Sequence, residues 1–402
     1  MSLLGNGGVM KTSTNYLYTR LFAFALTVVC LTGNAFADGE IYNKTLNSTA
    51  WVLAKTGGAT SSGTGVLVNA EKKLLITNFH VVGDARSTVI FFPEVKNGKP
   101  IVERSHYLKN VKKLGIRGRV LGVDRKRDLA LVELDRLPEN AVAIPLAKDT
   151  TGPGEDVQSI GNPGSTDALW VFTSGTVRSV YQKQFRTGAG EHDFMVVETQ
   201  SPINSGDSGG PVVNNDGELV AISQAISPKA RLVSYSVDIS EVKDFLDSPW
   251  KPAPLPVVDI LDQTELTYTK HESGHFEVAF DQKDNDKQSV FVTKEVEYFE
   301  RADVRKVWAL AATLKEAPSL ETTLKLLQQS ARTKMGAWTV EKAQNGDFLV
   351  IYCCKVDATA TPDALKSTME YVAKLTSVTK KDLTPAATTE NAADTLDSWL
   401  GS

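Results

Sequence analysis

The chain has 402 residues, 42% of them hydrophobic and 23% charged, which is enough to bury the cores of two or three ordinary domains. Its 44 lysines and arginines against 48 aspartates and glutamates leave a formal net charge of -4. The basic residues are scattered, so the balance argues against nucleic acid or an anionic membrane surface as a partner.

At the N-terminus, Lys11 and Arg20 precede the apolar run LFAFALTVVCLTG, which ends in the small-x-small sequence Ala35-Phe36-Ala37. A transmembrane anchor needs roughly 20 apolar residues. This run is nearer the length of a secretory h-region, so residues 1–37 read as a signal peptide cleaved after Ala37, leaving no stable membrane anchor. Cys30 leaves with it, and the mature chain keeps only Cys353 and Cys354. Adjacent cysteines are badly spaced for an ordinary disulfide. An exported chain without a disulfide framework points to a bacterial periplasm or a comparable secreted setting.

From Trp51 to about Leu246 short β-branched runs alternate with Gly, Pro, Asn and Asp clusters: GTGVLV, KLLITNF, STVIFF, GRVLGV, LALVEL, VQSIG, LWVFTSGTV, DFMVVETQ, GPVV, LVAISQAI and RLVSYSV. Such a series predicts an all-β barrel or sandwich over residues 38–248. A closing helix, EVKDFL, is expected with Ser240 as its cap. Residues 249–258 lie within the proline-dense SPWKPAPLPVV and read as a stiff linker between domains.

Beyond the linker, residues 259–383 carry an α+β pattern. HFEVAFD and QSVFVTKEV read as strands, SLETTLKLLQQSA as a helix capped by Ser319, and Asn345-Gly346 as a hairpin turn. Thr361-Pro362 opens a helix with Leu365, Met369, Val372 and Leu375 on one face. Residues 384–402 read as a frayed tail.

The chemistry concentrates in SPINSGDSGGPVV, Ser201 to Val213. Its glycines let main-chain N–H groups turn inward beside a hydroxyl, which is what acyl transfer needs where an oxyanion develops. Ser208 is a weak nucleophile unless a base takes its proton. Among five histidines, His106, His192, His271 and His275 lie among polar residues and read as solvated, whereas His80 follows the apolar strand KLLITNF. In DRKRDLALVEL the candidate carboxylates are Asp124, on a basic turn, and Asp128, at the head of an apolar strand; the strand favours Asp128. The stretch HESGH, His271 to His275, matches H-E-x-x-H, but that zinc site requires a helix. Gly274 and alternating flanks predict a hairpin turn, so neither metal nor cofactor is expected.

Together TGVLV, LLITNFHVV, GVDRKRDLALVEL, IGNPG and NSGDSGGPVV resemble the trypsin-like serine peptidases of the HtrA/Deg type over about residues 51–246. The resemblance implies a double six-stranded β-barrel followed by a smaller α+β domain. It also implies a triad of His80, Asp128 and Ser208 in the cleft between barrels, and an oxyanion hole from the amides of Gly206 and Ser208. The specificity pocket is expected between Gln200 to Ile203 and Ser223 to Ala225. No acidic residue stands there, so small or medium apolar side chains are expected to enter.

Two features depart from the family. Asp207 stands where HtrA-type enzymes usually carry Asn, without the basic cleavage site and Ile-Val-Gly-Gly start that would pair with it. The segment from Asp84 to Ile116 is long and reads as an extra loop at the cleft rim. Residues 259–383 lack the carboxylate-binding loop of a PDZ domain and weakly resemble the type III secretion chaperone-like (YbjN-like) fold. The function implied is an exported endopeptidase acting on misfolded or unfolded proteins, with protein or peptide partners and room for a homo-oligomer. The alternative is a non-catalytic binding or chaperone protein on a protease scaffold.

Overall fold

The computed structural model describes residues 39–56, 59–226, 233–282, 287–300 and 302–383. The expected signal peptide and tail lie outside them. The chain divides into two compact units at Trp250 and Lys251.

The first unit opens with helix α1 (39–46) and strands β1 (Thr49–Thr56), β2 (Ala59–Asn69) and β3 (Leu74–Asn78). There follow a single helical turn α2 (Phe79–Val82), β4 (Ser87–Phe91), a small hairpin of β5 (Val95–Lys96) and β6 (Lys99–Pro100), and two short helices, α3 (Arg104–Lys109) and α4 (Val111–Leu114). With β7 (Ile116–Asp124) and β8 (Leu129–Leu134), the strands close in the order β1-β2-β3-β8-β7-β4. Closure pairs every strand on both sides and removes the exposed edges of an open sheet.

A second closed barrel uses β9 (Asp156–Gly161), β10 (Val171–Thr187), β11 (Gly190–Thr199), β12 (Pro211–Val213), β13 (Leu219–Ile226) and β14 (Ser234–Asp238) in the order β10-β11-β14-β13-β12-β9. Each of the eleven apolar runs quoted above overlaps a strand among the described residues. Strand β1, TAWVLAKT, is the twelfth and was not among the quoted runs, although Asn47-Ser48 and Gly57-Gly58 flank it. One core fills the first barrel, with Val52, Leu67, Leu75, Ile90 and Val132. Another joins the two barrels, where Ile76 and Leu129 pack with Phe194, Ile222 and Val237.

Helix α5 (Ile239–Asp247) ends this unit, and its cap is Asp238 rather than Ser240. The Asp238 carboxylate accepts from the Ser240 amide at 2.8 Å and the Ser240 hydroxyl at 2.6 Å, so the serine already lies inside the helix. His192 is also not solvated as its polar neighbours suggested. It is 2% exposed on β11, where strand alternation turns it inward against Phe185, with ring centroids 5.1 Å apart.

The second unit contains α6 (Val257–Leu261), β15 (Thr269–Lys270), β16 (Phe276–Asp281), β17 (Lys287–Val292), β18 (Glu297–Phe299) and β19 (Ala302–Leu314), then α7 (Leu320–Arg332), β20 (Ala337–Lys342), β21 (Phe348–Asp357) and α8 (Pro362–Leu383). Its antiparallel sheet runs β15-β16-β17-β19-β21-β20, with β18 also paired to β19. Helix α8 lays Leu365, Met369 and Val372 on the core, and Ser319 caps α7 by accepting from the Thr322 amide at 3.2 Å. HESGH forms the turn between β15 and β16: the His271 amide bonds the His275 carbonyl at 2.9 Å. The two imidazoles therefore do not share a helix face.

Candidate active site

His80 occupies the one-turn helix α2, directly after β3, where the chain leaves the first barrel. Asp128 heads β8 with φ of 54°, a left-handed conformation that Asp adopts more readily than most side chains. Its carbonyl accepts from the Phe79 amide at 3.0 Å and the Asn78 side chain at 2.9 Å, which fixes the two loops against each other. The fully buried Asp128 carboxylate lies 2.6 Å from His80 Nδ1 through Oδ2, and Oδ1 accepts from the His80 amide at 2.9 Å. Burial disfavours the imidazolium, but the charge and hydrogen bond of Asp128 outweigh it and raise the His80 pKa above 6.5. Asp124 instead bonds Arg127 through both carboxylate oxygens, at 2.9 Å each.

Ser208 lies in the turn that leads into β12. Gly206 has φ of 103°, and a Cβ there would sit 2.5 Å from the Asn162 carbonyl oxygen. At Gly209, φ is 86° and a Cβ would strike the Thr64 carbonyl. Only glycine meets both demands. Thr64 of β2 grips this turn across the barrels: its amide donates to Ser208 O at 2.8 Å and its hydroxyl to Gly206 O at 2.8 Å. The amides of Gly206 and Ser208 donate to no acceptor among the described residues. The Ser208 hydroxyl donates to the Gln224 carbonyl at 3.1 Å, and no hydrogen bond joins it to His80.

Asp207 is 8% exposed. Its Oδ2 accepts from the Asn204 amide at 2.7 Å, while Oδ1 has no partner among the described residues. Burial pushes its pKa up to about 6, against the pull of the Asn204 amide and the Arg104 guanidinium. Arg104 comes from the long segment between the first two candidate residues. It bonds the carbonyls of Asn162 at 2.9 Å and Pro163 at 2.7 Å, and the neighbouring Gly164 amide bonds Ser205 O at 2.7 Å. Arg104 thus braces the loop after β9, which bonds the serine turn through Gly164.

Of the expected pocket residues, Gln200 is exposed and its amide bonds Thr176 O at 3.0 Å, while Ile203 is buried. Ser223 is 1% exposed, and its main chain holds both Gly209 and Gly210. Ala225 pairs with Tyr235 across β13 and β14. Thr64 and Arg104 were not singled out from sequence, and Gln224 entered only within the pocket wall Ser223 to Ala225. Thr64 lies in an ordinary strand run, and nothing local marks a residue whose partner is more than a hundred positions away.

Residues 63–222 match the family model described as the trypsin-like peptidase domain. The zebrafish serine protease HTRA1A (Danio rerio) is 29% identical over 226 residues, 56% of this chain and 41% of that protein. The periplasmic serine endoprotease DegP of Escherichia coli K12 is 32% identical over 166 residues, 41% of this chain and 30% of DegP. Among solved structures, the active form of the Rv3671c protease from M. tuberculosis aligns with a TM-score of 0.44 at 18% identity, covering 55% of this chain and 88% of that one. Within the first unit, residues 63–222 are thus similar to the trypsin-like peptidase domain. The curated proteins that the chain resembles over this region are HtrA/DegP-type serine proteases. The chain spans less than half the length of the curated relatives it matches. The likeness of residues 259–383 to the YbjN-like fold finds no support in these comparisons.

Proposed function

We propose that the protein is an exported serine endopeptidase that cleaves misfolded or unfolded proteins through an acyl-enzyme at Ser208. The observation that carries this reading is the His80–Asp128 pair at 2.6 Å, beside a glycine-flanked serine whose turn is bound to the same barrel through Thr64. Asp128 keeps the proton of His80 on Nδ1, leaving Nε2 free to act as base. A rotation of the Ser208 side chain from Gln224 O toward Nε2 precedes attack, as catalytic hydrogen bonds often tighten only when substrate binds. The Ser208 proton then passes to Nε2 while Oγ bonds the scissile carbonyl carbon. The resulting oxyanion is received by the Gly206 and Ser208 amides, a contribution of about 3 kcal/mol per donor. His80 returns the proton to the leaving amine as the C–N bond breaks, and water repeats the sequence on the ester.

A serine-directed fluorophosphonate tests this reading. Labelling is expected in wild type, with loss in Ser208→Ala and strong reduction in His80→Ala, in parallel with cleavage of unfolded casein. Casein cleavage without labelling would overturn the mechanism. Binding of casein with neither labelling nor cleavage would make the protein a non-catalytic scaffold. Export is supported by the N-terminal sequence pattern and by periplasmic relatives such as DegP. A mature N-terminus at Asp38 in periplasmic extracts would bear it out.

A further inference from the structure

We infer that the cavity between the β5–β6 hairpin and helices α3 and α4 binds an acidic segment of another protein, one that also carries an apolar side chain. Basic residues, scattered elsewhere in the chain, concentrate in this part of it. Residues 94–117 hold seven lysines and arginines against two glutamates, a net of +5 in a chain whose net charge is -4. Lys96, Lys99, Lys109, Lys112 and Lys113 are exposed, and none of them forms an ion pair among the described residues. Like charges at that density repel one another, and an anionic partner relieves the repulsion.

The cavity has a volume of about 310 Å³, at the lower end of the range for ligand sites, so it takes a side chain or two rather than a large cofactor. Val95, Ile101 and Leu114 give it an apolar lining, and Lys96 and Lys113 border it as cations. Val95 is 48% exposed, so that lining is open to a partner. The wall is preformed. Tyr107 of α3 is fully buried, its ring 5.8 Å from Phe91 and 5.0 Å from Trp170. Its hydroxyl donates to Ile101 O at 2.7 Å and accepts from the Glu94 amide at 3.0 Å, which ties the base of the hairpin to the helix. Glu94 Oε2 meets His106 Nε2 at 2.7 Å in the same wall. A wall already ordered loses little conformational entropy when a ligand enters.

These groups suit a peptide better than other anions. The lysines meet carboxylates, and the apolar lining takes a leucine-sized side chain. Asn110 donates its side-chain N–H to His106 O at 2.8 Å, and its Oδ1 is left to accept a main-chain N–H. A nucleic-acid backbone has no apolar side chain to fill the lining, and it would set phosphates beside the Glu94 carboxylate. The site goes beyond the peptidase reading, because it holds a partner whether or not Ser208 is a nucleophile.

The test is equilibrium binding to the full chain carrying Ser208→Ala, so that no probe is cleaved. The probe is a fluorescently labelled peptide, Glu-Glu-Leu-Glu-Glu-Leu-Glu. It is expected to bind saturably, and exchanging its leucines for serine, or its glutamates for glutamine, should each weaken binding about five-fold or more. Lys96→Glu with Lys113→Glu should weaken it about ten-fold or more. Lys72→Glu with Lys334→Glu, at exposed positions outside the cavity, should change it by less than about three-fold at physiological salt. No saturable binding, equal losses from the two lysine pairs, or equally tight binding of the leucine-free peptide or of a DNA duplex of like charge would overturn the assignment.

A second readout needs no lysine variant to fold. Added peptide is expected to slow amide hydrogen exchange within residues 94–114, and slowing confined to other segments would overturn the site. Neither measurement depends on turnover. Absence of Ser208-dependent labelling in wild type would remove the peptidase reading and leave this site standing, whereas absence of peptide binding would remove the site and leave that reading standing.

Discussion

Asp207 shares a turn with the proposed nucleophile, and among the described residues no cation forms an ion pair with its buried carboxyl group. Its pKa of about 6 lies above the ordinary 3.8, so between those values the folded chain keeps a proton that the unfolded chain has released. Stability from this group is fully present below pH 3.8 and is lost as pH rises to about 6, by on the order of 3 kcal/mol. Asp207→Asn should flatten that slope, which urea midpoints at pH 4 and pH 7 would measure. His80 shifts in the same direction for the opposite reason, a charged neighbour. Because the imidazole must be neutral to accept a proton, the acidic limb of activity should fall at a pKa above 6.5. Thr64→Val should cost about 1–3 kcal/mol and lower kcat, since it leaves the Gly206 carbonyl and the Asn162 amide without their buried partner. The proposed triad was legible because each member sits at a local signal: a strand end, a strand head, a glycine cluster. Thr64 and Gln224 act only through distant partners.

At the scale of elements, the helices that could be read were those with caps and one-sided apolar spacing, α5, α7 and α8. The cap of α5 is displaced because two adjacent positions offer acceptable oxygens, and tertiary contacts chose between them. Asp238 also accepts from Thr150 at 2.5 Å, a bond the serine could not make from its place inside the helix. Asp238→Ala should therefore cost at least about 1 kcal/mol, more than Ser240→Ala, in urea unfolding of the full chain. Strand β19 was missed although it lies inside the sheet of the second unit. ADVRKVWALAATL has three alanines in its second half and no strict alternation, so its composition suits a helix as well as a strand. Pairing with β17 and β21, through a register shift between Leu310 and Ala312, decided the matter.

The stretch expected to be a stiff linker is partly built into the second unit. Ala253 and Val257 are buried, and Arg305, 1% exposed on β19, donates to Leu255 O at 2.7 Å. The Arg305 Nε and Nη1 find no partner among the described residues, and burial lowers its pKa. A buried charge held by one bond contributes little, so Arg305→Met should leave stability unchanged or raise it by up to about 3 kcal/mol in urea unfolding. By itself the sequence determined what depends on neighbours in the chain: strand and turn alternation, the glycine-flanked serine, the order of His80, Asp128 and Ser208, and the change of pattern after the proline-dense stretch. Only the tertiary structure decided which strand closes the first barrel, and that Thr64 and Gln224 reach across from opposite barrels, to the serine turn and to Asp128. Those choices are made by hydrogen bonds and packing between residues far apart in sequence, and such contacts come into being only when the barrels close.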